Sequence, residues 1–573
     1  MPVQNREVAR VFETIADLLD IRGGNTFRIR AYRNAARTVR SLTRDVADML
    51  EDGEDLSELS GIGEDLAGKI ETILETGTHP TLEELKDEVP ESLQELLRVP
   101  GLGPRGVQTI HEELGVTDLD GLLKAAEQGS LSQLSGFGER TQAKILEEVE
   151  SIASREERTL LLEAVEIAEE VVEHMRSHDG VKKACAAGSL RRRRETVGDL
   201  DILVSCREDA DVMDHFLQLG DVDEVVARGD TKTTVILRSG LQVDLRVVPH
   251  AAYGAALVYF TGSKQHNIRL RKRGQERDLK VNEYGVHSGR EKVAGKTEEE
   301  VYEALDLPWI APELREDRGE IEAAEEGGLP DLVELDDIKG DLHAHTGKTD
   351  GHSSIREMAE AARDLGYGYL AITEHSRRVT VAGGLDADEL AGHADDIEEA
   401  DGDIEGIRIL SGVEVDILED GSLDLLDDVL KRLDVVVASV HYRFGLPRDR
   451  QTERVLRALD NPHLNILGHP TGRMLGRRDP YEIDLERIME AAADRGCFLE
   501  LNAYPERLDL NDVACMRARE KGAKLVISTD AHRTSDLKYM RFGVGQARRG
   551  WLSASDVANS RPADELLEMM ERD

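Results

Sequence analysis

The sequence predicts a multidomain protein in which helical N-terminal domains precede an α+β centre and a C-terminal α/β barrel. At 573 residues the chain is long enough for three to five compact domains. Its last third alternates short apolar segments with segments of helical composition, which is typical of parallel strands covered by helices. The first 150 residues instead repeat a glycine-x-glycine turn ahead of apolar helices, and aspartates occupy alternating apolar segments between these two regions.

The N-terminal region contains three related turns, each between a hydrophobic lead-in and an apolar helix. Their glycines are Gly61 and Gly63, Gly101 and Gly103, and Gly136 and Gly138. Such a turn presents backbone N–H groups at a helix N-terminus, which suits a phosphate, although a plain helix-helix turn has the same pattern. The repeats resemble the helix-hairpin-helix motif, and this resemblance implies binding to the DNA backbone without sequence reading.

Residues 21–44 contain no acidic residue and seven arginines, in a chain that is acidic elsewhere. Five of these arginines recur at intervals of three and four residues, which predicts a basic stripe along one helix: Arg30, Arg33, Arg37, Arg40 and Arg44. A solvated face is the alternative. Because the stripe opposes the prevailing charge, we interpret it as a nucleic-acid contact.

The centre of the chain combines a glycine-serine turn, an arginine run and three aspartates. Asp199 and Asp201 alternate on one predicted strand, and Asp244 lies within another. Three converging carboxylates can hold two Mg²⁺ ions, while Gly188, Ser189 and the following arginines offer donors to phosphate oxygens. A turn or Ca²⁺-like loop and a solvated arginine loop are the alternatives for the separate motifs. Their combined order favours phosphoryl transfer.

In the last third, most of the apolar segments end in residues of the types that commonly bind metals, histidine, aspartate and glutamate. Nine candidate ligands lie at or just beyond these predicted strand ends: His343, His345, Asp350, His375, Glu414, His441, His469, Asp530 and His532. A single histidine on an apolar segment is more often a core residue, but nine equivalent positions predict a metal centre at the mouth of a barrel. The mixed imidazole and carboxylate set suits Zn²⁺, Mn²⁺ or Fe²⁺ better than Mg²⁺, and nine ligands are enough for two or three ions. Clustered ions of this kind favour phosphoester hydrolysis.

The motifs DLHAHT, TDG, ITEHS, GVEVDI, SVH, GHP and STDAH resemble the PHP (polymerase and histidinol phosphatase) family. This resemblance implies a distorted (βα)7 barrel with a trinuclear metal site. Many PHP relatives have Asp where this chain has Glu374, so no role is assigned to that residue.

The segments GSLRRRRETVGDLD, VDLR and AALVYFTGSKQHNIRLR resemble the palm and thumb of family X DNA polymerases. The resemblance implies that Asp199, Asp201 and Asp244 hold the catalytic metals. It further implies two sets of nucleotide contacts: Gly188, Ser189 and Arg192 at the phosphates, and Tyr259, Phe260, Gly262, Lys264 and Asn267 at the sugar and base pair. Ordinary core packing is the alternative for the aromatic pair.

The segment NTFRIRAYRNAARTV resembles the small N-terminal domain of the same polymerases, which implies that Arg28 and Tyr32 bind the 5′-phosphate of a gap. Lys69 falls where lyase-competent relatives carry a Schiff-base lysine. Glu64 and Asp65 stand where those relatives have polar or basic residues. Contact with phosphate or solvent is the alternative for Lys69.

These motifs divide the chain into six predicted segments. They are a helical DNA-binding, lyase-like domain (1–85), a helix-hairpin-helix domain (86–150), a palm (151–250), a thumb (251–312), an acidic linker (313–337) and a PHP domain (338–573). Four cysteines without CxxC spacing indicate reduced, packed thiols.

The formal net charge is −43, and 18 lysines stand against 55 arginines. This composition resembles that of salt-loving archaea, where binding to DNA must depend on direct contacts because counterion release contributes little. An acidic partner-binding surface is the alternative cause. The chain has no apolar segment of membrane-spanning length and no signal region, so we expect a cytoplasmic monomer without a membrane partner.

Together these features predict a DNA polymerase that fills short gaps in DNA repair and carries a 3′-end-processing nuclease or phosphatase in its PHP domain. Its expected partners are gapped or primer-template DNA and dNTPs. A repair nuclease with an inactive palm, or a DNA-binding scaffold with an inactive barrel, are the alternatives. Either would be expected to lose part of one ligand set, whereas both sets are complete in this sequence.

Overall fold

The computed structural model describes residues 3–42, 46–51, 53–59, 61–90, 93–97, 99, 102–134, 137–138, 140–146, 149, 158–207 and 210–572. The chain forms two compact units, Met1–Arg158 and Thr159–Asp573. Along the described part of the chain, no helix combines the length and apolar character needed to cross a membrane.

The first unit is helical. Its labelled helices are α1 (Val3–Ile21), α2 (Thr26–Ser41), α3 (Val46–Glu51), α4 (Glu64–Thr76), α5 (Pro80–Glu88), α6 (Leu93–Leu96), α7 (Pro104–Leu114) and α8 (Leu119–Glu127), with 3₁₀ turns at Leu56–Glu58 and Leu131–Gln133 and a further helical stretch at 140–146. Apolar residues of α1 such as Phe12 and Ile15 are fully buried, and α2 packs its apolar face against them. The side chain of Asn25 caps α2 by accepting from the N–H groups of Phe27 and Arg28.

The second unit begins with a five-stranded sheet that corresponds to the predicted palm. Its strands are β2 (Val181–Ala186), β4 (Asp199–Cys206), β5 (Val222–Arg228), β6 (Lys232–Leu237) and β7 (Gln242–Val248), in the order β2-β4-β7-β6-β5. Strands β4 and β7 are parallel, and the other pairs are antiparallel. Short strands β1 (Thr159–Leu160) and β3 (Thr196–Val197) pair beside it, and helices α9 (Leu161–Arg176), α10 (Gly188–Arg191) and α11 (Val212–Phe216) complete the region.

The predicted thumb follows as helices and a small antiparallel sheet. It contains α12 (Tyr253–Thr261), α13 (Lys264–Gln275), β8 (Leu279–Asn282), β9 (Gly285–Ser288), β10 (Glu291–Ala294) and α14 (Glu298–Glu303), after a 3₁₀ turn at His250–Ala252. Gly254 of α12 lies against the backbone of Thr297, where an added Cβ would come within 2.1 Å of the carbonyl carbon. A larger residue at position 254 would therefore separate α12 from the start of α14.

Seven parallel strands in sequential order form the C-terminal barrel. They are β11 (Gly340–Asp341), β12 (Tyr369–His375), β13 (Arg408–Asp416), β14 (Val435–Ser439), β15 (Ile466–Leu467), β16 (Phe498–Asn502) and β17 (Leu525–Ser528). A bridge between Ala344 and Ala531 brings the first and last strands together, so the barrel is nearly closed. This architecture confirms the predicted (βα)7 fold, and its parallel strands alternate with helices as the sequence pattern predicts.

Helices surround the barrel and connect its strands. They are α16 (Ile355–Asp364), α17 (Ala387–Asp403), α18 (Asp427–Leu430), α19 (Arg448–Leu459), α20 (Leu485–Arg495), α21 (Asp512–Glu520), α22 (Met540–Arg549) and α23 (Ala563–Met570). Helix α15 (Glu320–Glu326) precedes them, and 3₁₀ turns lie at Pro312–Leu314, Leu335–Asp337, Thr380–Ala382, Thr534–Tyr539, Ala554–Asp556 and Ala558–Ser560.

The predicted acidic linker at 313–337 is not a free spacer. Leu314, Ile321 and Ala324 are buried in the apolar core of the thumb. Glu320 is fully buried and lies 2.6 Å from the Nδ1 atom of His266. The prediction of a linker therefore does not hold for the part of the segment up to Ala324, where the apolar residues and Glu320 are buried.

The barrel shares apolar cores with the palm and thumb. Leu508 and Phe542 of the barrel are at most 1% exposed and pack into the palm core. Met516 and Trp551 pack into the thumb core. Palm, thumb and barrel therefore form one packed unit rather than domains joined only by flexible chain.

Candidate active sites

The three central aspartates lie on the two parallel strands of the palm sheet. Asp201 and Asp244 are register partners on β4 and β7, and Asp199 lies two residues before Asp201 on the same face of β4. Burial, together with the neighbouring charges of Asp199 and Asp244, raises the pKa of Asp201 to about 6. The structure thus brings the predicted carboxylates together in an arrangement that would be stabilised by divalent cations.

Two residues that were not predicted from the sequence hold Asp244 in place. The hydroxyl of Thr234 donates to Oδ1 of Asp244 at 2.6 Å, and Nζ of Lys232 lies 2.7 Å from Oδ2. Both lie on β6, the antiparallel neighbour of β7. Since β-strand side chains alternate, Lys232 and Thr234 fall on the same face as Asp244. Their contact with Asp244 can be predicted from the sequence only when the pairing of β6 with β7 is known.

The glycine-serine turn lies directly against the carboxylates. Gly188 adopts φ +61°, and a Cβ added there would lie 2.5 Å from Oδ2 of Asp201. The N–H of Ala187 donates to the backbone oxygen of Asp201 at 2.7 Å. Ser189 lies in the same turn, within α10. Glycine is required at position 188 because the backbone must approach the carboxylate closely.

Arg192 reaches from this turn toward the thumb. Its Nε donates to Oε1 of Glu316 at 3.0 Å, and its Nη1 donates to the backbone oxygen of Thr261. Gly262, with φ +69°, leaves room for this guanidinium, since an added Cβ would lie 3.2 Å from Nη1. The predicted phosphate-binding arginine therefore lies beside the predicted sugar-selecting segment.

The remaining predicted nucleotide contacts lie at the junction of α12 and α13. The rings of Tyr259 and Phe260 are edge to face at 5.2 Å, and Arg246 lies over the Phe260 ring at 4.4 Å. Lys264 begins α13. The side-chain amide of Asn267 donates to the backbone oxygen of Tyr259 at 2.7 Å, so in this structure it supports the end of α12.

The N-terminal candidates divide into exposed and buried groups. Arg28 and Arg30 are exposed, and Arg33 is paired with Asp17 and Asp20 of α1 at 3.0 and 2.9 Å. The side chain of Arg40 and the whole of Arg44 lie outside the described residues. Part of the predicted basic stripe is therefore open to solvent, while Arg33 is already paired.

Tyr32 does not face solvent as a phosphate contact requires. It is 1% exposed, its ring lies 5.6 Å from that of Phe12, and its hydroxyl is buried. The assignment of Tyr32 as a DNA contact is therefore not supported by this conformation, because core packing occupies the side chain. Arg28 remains available nearby, with its guanidinium carbon 5.9 Å from the centre of the Tyr32 ring.

The glycine-x-glycine turns that the structure describes lead into helices. Gly61 has φ +81°, Gly63 is the N-cap of α4, Gly103 is the N-cap of α7, and Gly138 lies just before the helical stretch 140–146. Gly101 and Gly136 lie outside the described residues. Among the described residues, no heavy atom beyond the chain neighbours lies within 4 Å of a Cβ added at Gly63, Gly103 or Gly138.

Lys69 lies on α4 in a largely buried position. It is 8% exposed, and its Nζ forms an ion pair with the carboxylate of Asp65, one turn earlier. The first turn of α4 also carries Glu64, whereas the first turn of α7 contains no acidic residue. The second hairpin is therefore the more favourable of these two for a phosphate.

The barrel mouth gathers the predicted ligands into three overlapping clusters. Their members are His345, Asp350, His375 and His532 in the first, His343, His345 and Asp530 in the second, and His375, Glu414 and His441 in the third. The ligand atoms within each cluster lie within 4.8 Å of one another. His469 lies outside these clusters, but its Nε2 is 2.9 Å from Oε1 of Glu414.

The donor atoms fit divalent metal ions. Both ring nitrogens of His345, Nε2 of His343 and Nδ1 of His469 are buried and lack hydrogen-bond partners within the described part of the chain. Buried polar atoms of this kind are costly unless something coordinates them. Imidazoles and carboxylates in this combination suit Mn²⁺ or Zn²⁺.

Electrostatic coupling within the mouth is strong. Burial lowers the pKa of His375, but Glu414 and Asp350 outweigh burial and raise it to about 10. Burial and the neighbouring His375 lower the pKa of His345 to about 4. Because protons must leave such imidazoles when a metal binds, metal binding at this site is coupled to pH.

The residues that orient the candidate ligands were not predicted from the sequence. Glu500 lies 2.7 Å from Nδ1 of His343 and accepts from the N–H of His469 at 2.6 Å. The amide of Asn502 donates to Asp530 at 3.1 Å. Glu500 and Asn502 alternate on the apolar strand β16, and this pattern was the available signal.

Glu374 also acquires a defined contact. It is fully buried and accepts from the N–H of Thr346 at 3.0 Å and from the hydroxyls of Thr346 and Thr349. Thr349 immediately precedes Asp350, so Glu374 fixes the loop that carries a candidate ligand.

A second group near the mouth is Arg507, whose Nε lies 3.5 Å from Oδ2 of Asp530.

Comparisons with known families match these regions. Residues 3–79 match a helix-hairpin-helix domain, residues 69–115 and 93–151 match a SAM-like helix-hairpin-helix tandem, residues 256–316 match the DNA polymerase beta thumb, and residues 341–504 match the PHP domain. The fold and the two sites define the class of family X polymerases that carry a C-terminal PHP domain.

Full-length similarity identifies the particular family. The chain is 41% identical over 574 residues to the DNA polymerase/3′-5′ exonuclease PolX of Bacillus subtilis (strain 168), with 100% of each chain covered. It belongs to the family of that protein. The barrel region is also 33% identical over 209 residues to a probable phosphatase of Thermoanaerobacter sp. (strain X514), and 32% identical over 202 residues to one of Acetivibrio thermocellus. Each match covers 34% of this chain, and 80% and 78% of the respective relatives.

Proposed function

We propose that this protein is a DNA polymerase that fills short gaps during DNA repair and processes 3′ ends with its PHP barrel. The proposal depends on one observation: a single chain contains both the three aspartates of the palm and the full set of nine candidate metal ligands at the barrel mouth. Similarity to PolX over the full length supports the combination. The proposed substrates are gapped or primer-template DNA and dNTPs, and the proposed setting is a monomer in the cytoplasm.

In the palm, we assign Asp199, Asp201 and Asp244 to two Mg²⁺ ions and Arg192 to the phosphates of the incoming nucleotide. The primer 3′-oxygen forms a bond to the α-phosphorus as the bond from that phosphorus to the pyrophosphate oxygen breaks. Thr234 and Lys232 keep Asp244 oriented. The glycine-serine turn keeps the phosphate donors close to the carboxylates.

In the barrel, we assign the nine ligands to as many as three Mn²⁺ or Zn²⁺ ions. When bound in the two sites, divalent ions supply Lewis-acid stabilisation of phosphate charge and lower the pKa of the attacking hydroxyl or water. Glu500 and Asn502 orient His343 and Asp530, and Glu374 fixes the loop of Asp350. Arg507 supplies a positive charge beside Asp530, where the phosphate of a 3′ end would be neutralised.

The hairpins and α2 are assigned to the DNA backbone. Exposed Arg28 and Arg30, together with the N–H groups that follow Gly63, Gly103 and Gly138, support this assignment. A Schiff-base role for Lys69 would require its amine to leave the ion pair with Asp65. Borohydride trapping on DNA with a 5′-deoxyribose phosphate, compared between the natural chain and Lys69→Ala, tests it.

Two single substitutions in the full-length chain test the main proposal on gapped DNA at high KCl. We expect Asp201→Asn to abolish primer extension while 3′-end processing continues, and His345→Ala to have the opposite effect. Each variant therefore serves as the folding control for the other. A chain whose Asp201→Asn variant still extends primers is not a palm polymerase, and retained processing by His345→Ala would exclude the barrel as the nuclease.

A further inference from the structure

The predicted nucleotide-phosphate loop, residues 188–195, is held by the barrel as well as by the palm. Arg549, the last residue of α22, is 2% exposed and donates through Nη1 to the backbone oxygen of Arg192 at 2.7 Å. The same Nη1 donates to Oε1 of Glu316 at 2.9 Å. A barrel residue thus contacts both the backbone of Arg192 and the carboxylate that binds its side chain.

Glu316 is shared by these two arginines. Its Oε1 accepts from Nε of Arg192 at 3.0 Å and from Nη1 of Arg549 at 2.9 Å. Arg549 is itself fixed because its Nη2 donates to Asp512, which also accepts from Nη1 of Arg318 at 3.0 Å. The buried charges are therefore mutually paired, and displacement of one changes the position of the others.

Other barrel contacts restrict the same loop. Gly545 lies on α22 where an added Cβ would be 3.3 Å from Cβ of Arg193, so the helix backbone packs directly against the loop. Nη2 of Arg473 donates to Oε2 of Glu195 at 2.8 Å. Barrel residues thus contact the loop at three positions: Arg192, Arg193 and Glu195.

This arrangement determines which part of Arg192 faces a ligand. Its Nε and Nη1 donate to Glu316 and Thr261, whereas its Nη2 has no protein acceptor among the residues that the structure describes. A guanidinium fixed by two bonds and with one amino group remaining is pre-organised to donate to a phosphate oxygen. The fixed orientation depends on Glu316, and Glu316 depends on Arg549.

We propose that Arg549 of the barrel is a positioning residue for the nucleotide-phosphate loop of the palm, and that it acts through the backbone of Arg192 and the carboxylate of Glu316. This inference rests on the proposed polymerase function of the palm. It makes nucleotide binding dependent on a side chain of the other catalytic region. Arg549 is not a catalytic residue, because it contacts the loop and not the substrate.

The neighbouring Arg548 provides a matched control. It lies on the same helix and interface, but it pairs with Glu313 at 2.9 Å and with Glu334 at 2.6 Å instead of the loop. The test compares Arg549→Gln with Arg548→Gln in the full-length chain. The measurements are KM for dNTP and kcat on gapped DNA, binding of dNTP to a complex with a dideoxy-terminated primer, and 3′-end processing.

We expect Arg549→Gln to raise KM for dNTP by about tenfold and to weaken dNTP binding by a similar factor, with a smaller change in kcat. Arg548→Gln should leave both constants within about twofold of the natural chain. The 3′-end processing should remain in both variants, which shows that the barrel is folded. Equal effects of the two substitutions on dNTP binding would overturn the inference.

Two additional variants keep the test informative if Arg549→Gln folds poorly. Arg549→Lys retains the charge, but one ammonium group cannot reproduce the planar contacts to Glu316, Asp512 and the Arg192 backbone, so KM for dNTP should still rise. Glu316→Gln removes the shared charge from the opposite side and should also raise it. Unchanged KM in both variants overturns the inference. If the natural chain extends primers, failure of these variants leaves the polymerase proposal intact, whereas absence of extension by the natural chain overturns both.

Discussion

The Nδ1 atom of His343 lies 2.7 Å from Oε1 of Glu500 across the barrel mouth, and both side chains are fully buried. Glu500 therefore selects which nitrogen of His343 faces the ligand cluster: the N–H at Nδ1 points to the carboxylate and Nε2 points to Glu414 and Asp530. A carboxylate in this position also makes the imidazole a stronger metal ligand.

Replacement of Glu500 by Gln should weaken metal binding to the barrel. The amide keeps nearly the same shape but removes the negative charge behind His343, so we expect metal affinity and 3′-end processing to fall by about tenfold to a hundredfold. Metal content measured after dialysis against a graded chelator checks this result. Glu490→Gln, at a half-exposed surface position paired with Lys521, is the control. Equal metal retention by the two variants would contradict the assignment.

Substitution of Gly188 by Ala should disrupt the palm site. The new methyl group would lie 2.5 Å from Oδ2 of Asp201 at a φ of +61°, so either the turn or the carboxylate must move. We expect primer extension to fall by about a hundredfold, because displacement near 1 Å has effects of that size. Gly220→Ala, in the palm, should retain activity because no heavy atom of the described residues, apart from the chain neighbours, lies within 4 Å of the added Cβ. Comparable rates for both variants would show that the close approach is unimportant.

Glu298 should make the stability of the second unit depend on pH. Burial alone would raise its pKa, but hydrogen bonds and charges from Arg191 and Arg315 outweigh burial and lower it to about 2, against 4.5 for the ordinary group. Because the folded pKa is depressed, the stabilisation is present above pH 4.5 and is lost as pH falls toward 2. The difference corresponds to roughly 3 kcal/mol for this buried group.

Thermal unfolding of Glu298→Gln measures this contribution at constant high KCl. We expect the variant to be less stable than the natural chain at neutral pH, and the difference in unfolding free energy to shrink as the natural Glu298 becomes protonated. Glu303→Gln, at an exposed position at the end of α14, is a control that should follow the natural chain. A difference that stays constant down to about pH 2 would exclude the ion pairs as its cause.

Exposed arginines of α2 should contribute unequally to binding of DNA. Arg30 is exposed, whereas Arg33 already pairs with two aspartates. We expect Arg30→Ala to weaken binding and to reduce the slope of log affinity against log salt by about one, as for one lost phosphate contact. Arg33→Ala should have a smaller effect. Titrations of labelled gapped DNA at several KCl concentrations check the comparison, and equal slopes for both variants would remove α2 from the DNA interface.

Local patterns were sufficient to predict the barrel and the positions of its candidate ligands. The segments around His343, His375 and Asp530 combine an apolar strand with a metal-binding end, and the parallel order follows from their repetition. Glu500 was missed because its alternation with Asn502 on β16 acquires a meaning only through the contact of Glu500 with His343, 157 residues earlier.

Predictions made from composition or resemblance failed where a side chain contacts residues that are distant in the sequence. The segment 313–337 is acidic and was interpreted as a linker, yet Glu316 pairs with Arg549 and Glu320 with His266. Tyr32 was assigned to DNA by resemblance, whereas helix packing buries it against Phe12. In both cases tertiary contacts decide whether a polar side chain is available, and a single sequence does not contain those contacts.

Leu508 and Phe542 place barrel side chains inside the palm core. Truncation before the barrel would expose the apolar surface that these two residues cover, and the isolated barrel would carry Leu508 and Phe542 into water. A fragment that loses activity could therefore be aggregating rather than lacking a catalytic group. Genetic separation of the two activities in this protein consequently requires point substitutions that leave both halves of the shared interior in place.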